Sequence, residues 1–65
     1  KQKVIMKTYR VEGWFRFGKY GDEKDFEVET IEAIDSIEAI NKFQEMFKSI
    51  RFLTFYVDGR KQDKL

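Results

Sequence analysis

The pattern of apolar and polar positions predicts two strands, one helix and a further strand, in that order. Residues 3–17 form the first strand, which is rich in Val, Ile, Tyr, Trp and Phe, and its odd-numbered positions give the more continuous apolar face. Gly13 interrupts it and indicates either a β-bulge or a close backbone approach. A glycine-containing turn at residues 18–22 leads into the second strand, residues 25–33.

The second strand changes its apolar face along its length. Its first apolar residues, Phe26 and Val28, occupy even-numbered positions, whereas Ile31 and Ala33 occupy odd-numbered positions. A slip of one residue in a strand moves the following side chains to the opposite face. The switch therefore predicts a bulge near Thr30, which would bring both apolar pairs to one face.

An amphipathic helix is predicted to begin after residue 35. Asp35 can cap its N-terminus, and Glu38, three residues later, can complete a capping box. The helix runs to about residue 48 or 49. Its apolar residues recur at helical spacing and form one stripe toward the core: Ala39, Ile40, Phe43, Met46, Phe47 and Ile50.

The last predicted strand, residues 50–58, is apolar on both faces. The helix accounts for its odd-numbered apolar residues, Leu53, Phe55 and Val57. Phe52 and Tyr56 fall on the other face, which in a small antiparallel sheet is usually solvated and polar. Their presence indicates that something else contacts that face.

These elements predict an α+β fold in β-β-α-β order, with a three-stranded sheet covered on one face by the single helix. One domain spans residues 1–65, and the charged tail at residues 59–65 is predicted to be frayed. The crossover through the helix favours a parallel relation between the second and third strands. The sequence leaves open whether the first strand lies in the middle or at an edge.

Charge is distributed unevenly, although the formal net charge is only +1. Residues 1–20 carry six Lys or Arg side chains against Glu12 alone, whereas residues 22–38 carry eight acidic side chains against Lys24 alone. One interpretation is that the basic first strand and the acidic second strand pair their charges across the sheet. The other is a basic patch for phosphate or an acidic face for a basic partner.

The composition argues against an enzyme. The chain has no Cys and no His, which excludes disulfides and removes the usual zinc ligands and nucleophile–base pairs. Its two serines, Ser36 and Ser49, lie at the predicted helix ends, where capping is their usual role. We expect no catalytic residue, cofactor, metal or small-molecule substrate. No run approaches the roughly 20 apolar residues of a membrane helix, so we expect a soluble cytoplasmic protein without membrane insertion.

The aromatic, helix-free face of the sheet is the predicted binding surface. Its expected members are Met6, Arg10, Trp14, Arg16, Phe52 and Tyr56. Protein interfaces favour these residue types, so we expect an accessory subunit that binds a protein partner or forms a homodimer. Aromatic and basic side chains on an open sheet also suit unpaired RNA bases, although the RNP1 pattern is absent. Cover by the chain's own tail or hairpin is a third alternative.

Several short motifs resemble the LX family of archaeal large-subunit ribosomal proteins and its eukaryotic relative. The matching positions are Val11, Gly13, Phe15, Phe26, Glu29, Ala33 and Ala39. The resemblance implies a shared β-β-α-β fold and, if function is also shared, contacts with ribosomal RNA. The implied phosphate contacts are Arg10, Arg16, Lys19 and Arg51. The chain departs from the family after the helix, where residues 48–52 are shorter and less basic than the family's Gly-containing basic stretch.

Overall fold

The structure is a computed structural model that describes residues 5–62. A four-stranded sheet and one helix make up the fold, in the order β1 (Lys7–Phe17), β2 (Glu23–Ala33), α1 (Ser36–Met46), β3 (Thr54–Val57) and β4 (Arg60–Gln62). The α+β class is confirmed, but the predicted three-stranded sheet is wrong because β4 adds a strand. The predicted start of the first strand, residue 3, lies outside the described residues.

β4 arises from a tight hairpin after β3. Asp58 and Gly59 both have positive φ, 51° and 82°, and Val57 pairs directly with Arg60. Positive φ at both central residues of a two-residue loop is typical of the turn that suits the twist of a β-hairpin. The prediction of a frayed tail from residue 59 is therefore wrong through Gln62, and residues 63–65 lie outside the described part.

The sheet order is β2-β1-β3-β4, so β1 lies between β2 and β3. β1 is antiparallel to both neighbours, which makes β2 and β3 parallel to each other, as the crossover predicted. The β1–β2 pairing runs without interruption from Lys7–Ala33 to Phe17–Glu23. This continuous register contains no bulge at Thr30 or at Gly13.

The absence of a bulge decides where the apolar residues of β2 lie. Ile31 and Ala33 are buried under α1, whereas Phe26 stays on the opposite face, directly across from Trp14. A bulge near Thr30 is needed only if all apolar residues of β2 belong to one core. The structure instead divides them between the two faces of an ordinary strand.

α1 begins as predicted, because local side chains satisfy its first backbone groups. Asp35 accepts a hydrogen bond from the Glu38 backbone N–H at 2.8 Å, and Glu38 accepts one from the Ile34 N–H at 2.8 Å. The helix ends at Met46, earlier than predicted. At 11 residues it is too short to cross a bilayer, and no helix within residues 5–62 is long and apolar enough to do so.

The core lies between α1 and the face of the sheet that it covers. Its members are 8% exposed or less: Val11, Ile31, Ala33, Ala39, Ile40, Phe43, Phe55 and Val57. Met46 was predicted to belong to this stripe but is 55% exposed. The stripe therefore lacks Met46, whereas Phe47, the next residue, still packs against the core.

Phe52 and Leu53, the two residues before β3, each lie where the other was predicted. Phe52 packs against Phe43, with ring centroids 5.1 Å apart, whereas Leu53 is 60% exposed. Because β3 begins only at Thr54, strand alternation does not extend back to these residues. The interpretation that put Phe52 on the helix-free face and Leu53 in the core is wrong.

Removal of the helix cap should cost about 1 kcal/mol of unfolding free energy. Asp35→Ala deletes the acceptor of the Glu38 N–H, and N-cap replacements by alanine typically destabilise by about this amount. Asp35→Asn is the matched control, because asparagine caps about as well as aspartate. Urea unfolding followed by circular dichroism measures the difference. Equal midpoints for the alanine and asparagine variants would show that this cap contributes nothing.

Candidate functional site

The sheet surface opposite α1, which we call the helix-free face, is formed by the even-numbered residues of β1, β2 and β3 and by the odd-numbered residue of β4. Its members follow from the strand register: Thr8, Arg10, Glu12, Trp14 and Arg16 of β1, Lys24, Phe26, Val28, Thr30 and Glu32 of β2, Thr54 and Tyr56 of β3, and Lys61 of β4. Four predicted site residues lie here: Arg10, Trp14, Arg16 and Tyr56. They share this face because successive side chains of a β-strand point to opposite faces of the sheet.

Trp14 is held in place from two directions at the centre of the helix-free face. The Phe26 ring packs against the indole with centroids 4.8 Å apart and planes inclined by 30°. The indole Nε1–H donates a hydrogen bond to the carboxylate of Glu12, which also lies 3.3 Å from Arg10 Nη1. Because Glu12 is only 19% exposed, Trp14 has a partly buried anchor as well as a stacking partner.

A shallow concavity of about 270 Å³ lies beside Trp14. It is lined by Trp14, Lys24, Thr54, Tyr56 and Lys61. Thr54 lies directly across from Trp14 in the β1–β3 register, and its short side chain leaves space between the aromatic rings. The concavity thus combines an aromatic wall, a hydroxyl group and two ammonium groups.

The basic side chains of this face are not neutralised by the acidic residues of β2. Arg16 pairs directly with Lys24, and Arg10 pairs with Thr30. Within residues 5–62, carboxylates lie within 4.0 Å of a basic group only at Arg10–Glu12 and Lys42–Glu38. The interpretation that basic β1 and acidic β2 pair their charges across the sheet is therefore wrong.

Alternation of side chains explains why those charges do not meet. The acidic residues at odd-numbered positions of β2 point to the α1 side: Glu23, Asp25, Glu27 and Glu29. The basic residues of the helix-free face point the other way: Arg10, Arg16, Lys24 and Lys61. Among the described residues, only two acidic side chains, those of Glu12 and Glu32, share that face. A chain with a net charge of +1 thus presents one basic sheet face and one acidic strand face.

The other predicted site residues lie elsewhere. Phe52 belongs to the aromatic core, and Met6 precedes β1 and is 46% exposed. Lys19 lies in the β1–β2 turn, with Nζ 5.8 Å from the Tyr20 ring centroid. Arg51 follows α1 and lines a separate concavity of about 510 Å³. The structure therefore does not bring Lys19 and Arg51 together with Arg10 and Arg16.

The sequence interpretation missed four residues of the central part of this face: Lys24, Phe26, Thr54 and Lys61. Phe26 and Lys24 could have been found from simple alternation in β2 without a bulge. Thr54 shares its phase with Tyr56 and could have been found in the same way. Lys61 gave no signal, because its strand is short and polar.

Acidic side chains of the described residues form no group of three that could hold a metal ion.

No protein-family model matches this chain, and neither a curated protein nor a solved structure is detectably similar to it. The resemblance to the LX family consequently stays a prediction. The geometry and charge of the helix-free face are therefore the features that bear on function.

Proposed function

We propose that this chain is a non-enzymatic binding module that contacts nucleic acid through its helix-free face. The observation that supports the proposal is the direct pairing of Arg16 with Lys24 beside Trp14, where no carboxylate of residues 5–62 lies within 4.0 Å of either cation. Like charges placed directly opposite each other on neighbouring strands are destabilising. A phosphate bound between them would turn this repulsion into charge-assisted hydrogen bonds.

The combination of groups suits a nucleic-acid strand better than a second copy of this chain. A dimer through two helix-free faces would bring four basic and two acidic side chains from each copy together. That contact would be between two surfaces of the same sign, which disfavours association. Phosphates supply the complementary charge, and bases supply planar surfaces for the aromatic side chains.

Binding to a single-stranded oligonucleotide should weaken steeply as salt is raised. If Arg16, Lys24 and Lys61 each contact a phosphate, raising salt from 50 to 200 mM should lower the affinity roughly 20-fold. The double variant Lys24→Ala/Lys61→Ala should bind more weakly and reduce the logarithmic salt slope by about 1.4. Fluorescence anisotropy of a labelled oligonucleotide measures both quantities.

Lys48→Ala is the matched control, because Lys48 is an exposed lysine in the turn that follows α1, away from the helix-free face. Its affinity and salt slope should equal those of the parent chain. An equal loss in Lys48→Ala and the double variant would mean that charge alone, without this surface, drives binding. That result would overturn the proposed site.

A protein partner is the competing occupant of the same face. If the parent chain binds no nucleic acid at 50 mM salt but sediments as a dimer that Tyr56→Ala dissociates, the face is a homodimer interface. A stable complex with an acidic protein that Tyr56→Ala and Lys24→Ala both weaken would indicate an accessory subunit instead. Either result contradicts the nucleic-acid proposal and retains the helix-free face as the contact surface.

A further inference from the structure

We infer that the concavity beside Trp14 accepts one unpaired nucleobase, so that the preferred ligand is single-stranded. This inference rests on the proposed nucleic-acid function and adds to it a base-binding subsite. The subsite is the space of about 270 Å³ bounded by Trp14, Thr54 and Tyr56, with Lys24 and Lys61 at its rim.

The stacking geometry shows which side of the indole is available. Phe26 occupies the β2 side of Trp14, with ring centroids 4.8 Å apart and planes inclined by 30°. Because Phe26 covers the indole from β2, the opposite surface of the indole turns toward β3, the other neighbour of β1. The concavity lies on that side, and the hydrogen bond to Glu12 holds the indole against rotation.

The spacing across β1 and β3 fits one planar ring. Tyr56 pairs with Glu12, so it is the diagonal neighbour of Trp14, whereas Thr54 is the direct neighbour. Diagonal neighbours on adjacent strands lie about 7–8 Å apart. Two van der Waals contacts of about 3.5 Å each span the same distance. A base could therefore stack on the indole above Thr54, whose hydroxyl can donate or accept a hydrogen bond.

The two lysines beside the concavity favour a continuous single-stranded oligonucleotide over an isolated base. Lys24 comes from β2 and Lys61 from β4, the two outer strands of the sheet, whereas the aromatic residues come from the inner strands. An oligonucleotide that places one base between Trp14 and Tyr56 can thus present phosphates on both sides of that base, toward the two lysines. In a duplex, bases are stacked and paired, so a duplex offers no base to this space without unpairing.

Trp14 is the single tryptophan of the chain, so its fluorescence reports this subsite directly. A single-stranded oligothymidylate should quench its emission, whereas polyphosphate and a duplex of equal length should not. An oligothymidylate that is abasic at every position should bind more weakly by roughly 5- to 150-fold, the usual range for the loss of one stacked base.

Thr54→Phe fills the concavity without changing any charge, and Ser49→Phe introduces the same ring at an exposed position in the turn after α1, outside the helix-free face. We expect Thr54→Phe and Tyr56→Ala to lose affinity by roughly 5-fold or more and to lose the quenching. Ser49→Phe should bind as the parent does. Circular dichroism confirms that each variant is folded before its affinity is compared.

The outcomes separate this inference from the proposed function. If Thr54→Phe and Tyr56→Ala bind oligothymidylate as tightly as Ser49→Phe, while the lysine variants still weaken binding, the base subsite is wrong and the nucleic-acid function stands. Equal affinity for the single strand, the abasic strand and the duplex would also overturn the subsite. If no probe binds, both proposals fail.

Discussion

Phe43→Ala is expected to leave the chain largely unfolded at 25 °C. Phe43 is 0% exposed and lies at the centre of an aromatic cluster, with ring centroids 4.9 Å from Phe47, 5.1 Å from Phe52 and 6.1 Å from Phe55. A buried Phe→Ala substitution costs about 3–5 kcal/mol. A core of this size rarely supplies more than about 3–5 kcal/mol in total, so the loss consumes the whole stability.

Circular dichroism with urea titration measures this effect, and Phe17→Ala is the matched control. Phe17 is 44% exposed, so its removal creates no closed cavity and should leave a cooperative transition near the parent's. Phe43→Leu should remain folded and lose an intermediate amount, within the roughly 0.5–3 kcal/mol common for single substitutions. A Phe43→Ala variant that unfolds at the parent's midpoint would show that this ring does not hold α1 to the sheet.

The elements predicted correctly are those specified by nearby residues. α1 could be predicted because its cap lies within four residues of its first turn and its apolar stripe repeats at helical spacing. The turn at residues 18–22 could be predicted because glycine permits the positive φ that Gly18 and Gly21 adopt, 97° and 65°. Such signals need no knowledge of the partner strand.

β4 could not be predicted from the pattern of its residues. Arg60–Gln62 contains no apolar side chain, so neither alternation nor strand propensity distinguishes it from a solvated tail. Its backbone becomes a strand through pairing with β3 after the turn at Asp58 and Gly59. The Asp-Gly pair was the available signal, and it acts as a hairpin turn rather than as the end of the fold.

The prediction of the candidate site depended on whether β2 contains a bulge. Trp14, Arg16 and Tyr56 were placed correctly on the helix-free face by alternation alone. The assumed bulge in β2 removed Phe26 from that face, although Phe26 is the residue that stacks on Trp14. A strand with apolar residues on both faces is ambiguous in sequence, because either a bulge or two separate contacts explains it.

Gly13→Ala is expected to lower the unfolding free energy, because overpacking a filled core costs about 1–3 kcal/mol. A Cβ at this position would lie 2.6 Å from Phe52 Cδ1 and 2.7 Å from Phe43 Cε2, so either both rings or the backbone of β1 must shift. Alanine also loses less backbone entropy than glycine when a strand forms, which raises the unfolding free energy by about 0.5–1 kcal/mol. A net loss therefore means that crowding by the rings exceeds the gain in backbone entropy.

A double-mutant cycle with Phe52→Leu tests whether crowding is the cause. If the added methyl group collides with the Phe52 ring, Gly13→Ala should cost less in the Phe52→Leu background, with a coupling of about 0.5–3 kcal/mol. Trp14 should keep its emission spectrum in every folded variant, because the new Cβ points to the α1 side of β1 and the indole to the other. Additive losses would place the cause in β1 itself, whereas a stabilised Gly13→Ala variant would show that the rings move aside freely. Coupled losses with unchanged Trp14 emission would establish that the close approach of the aromatic rings fixes the distance between α1 and β1 without shaping the helix-free face.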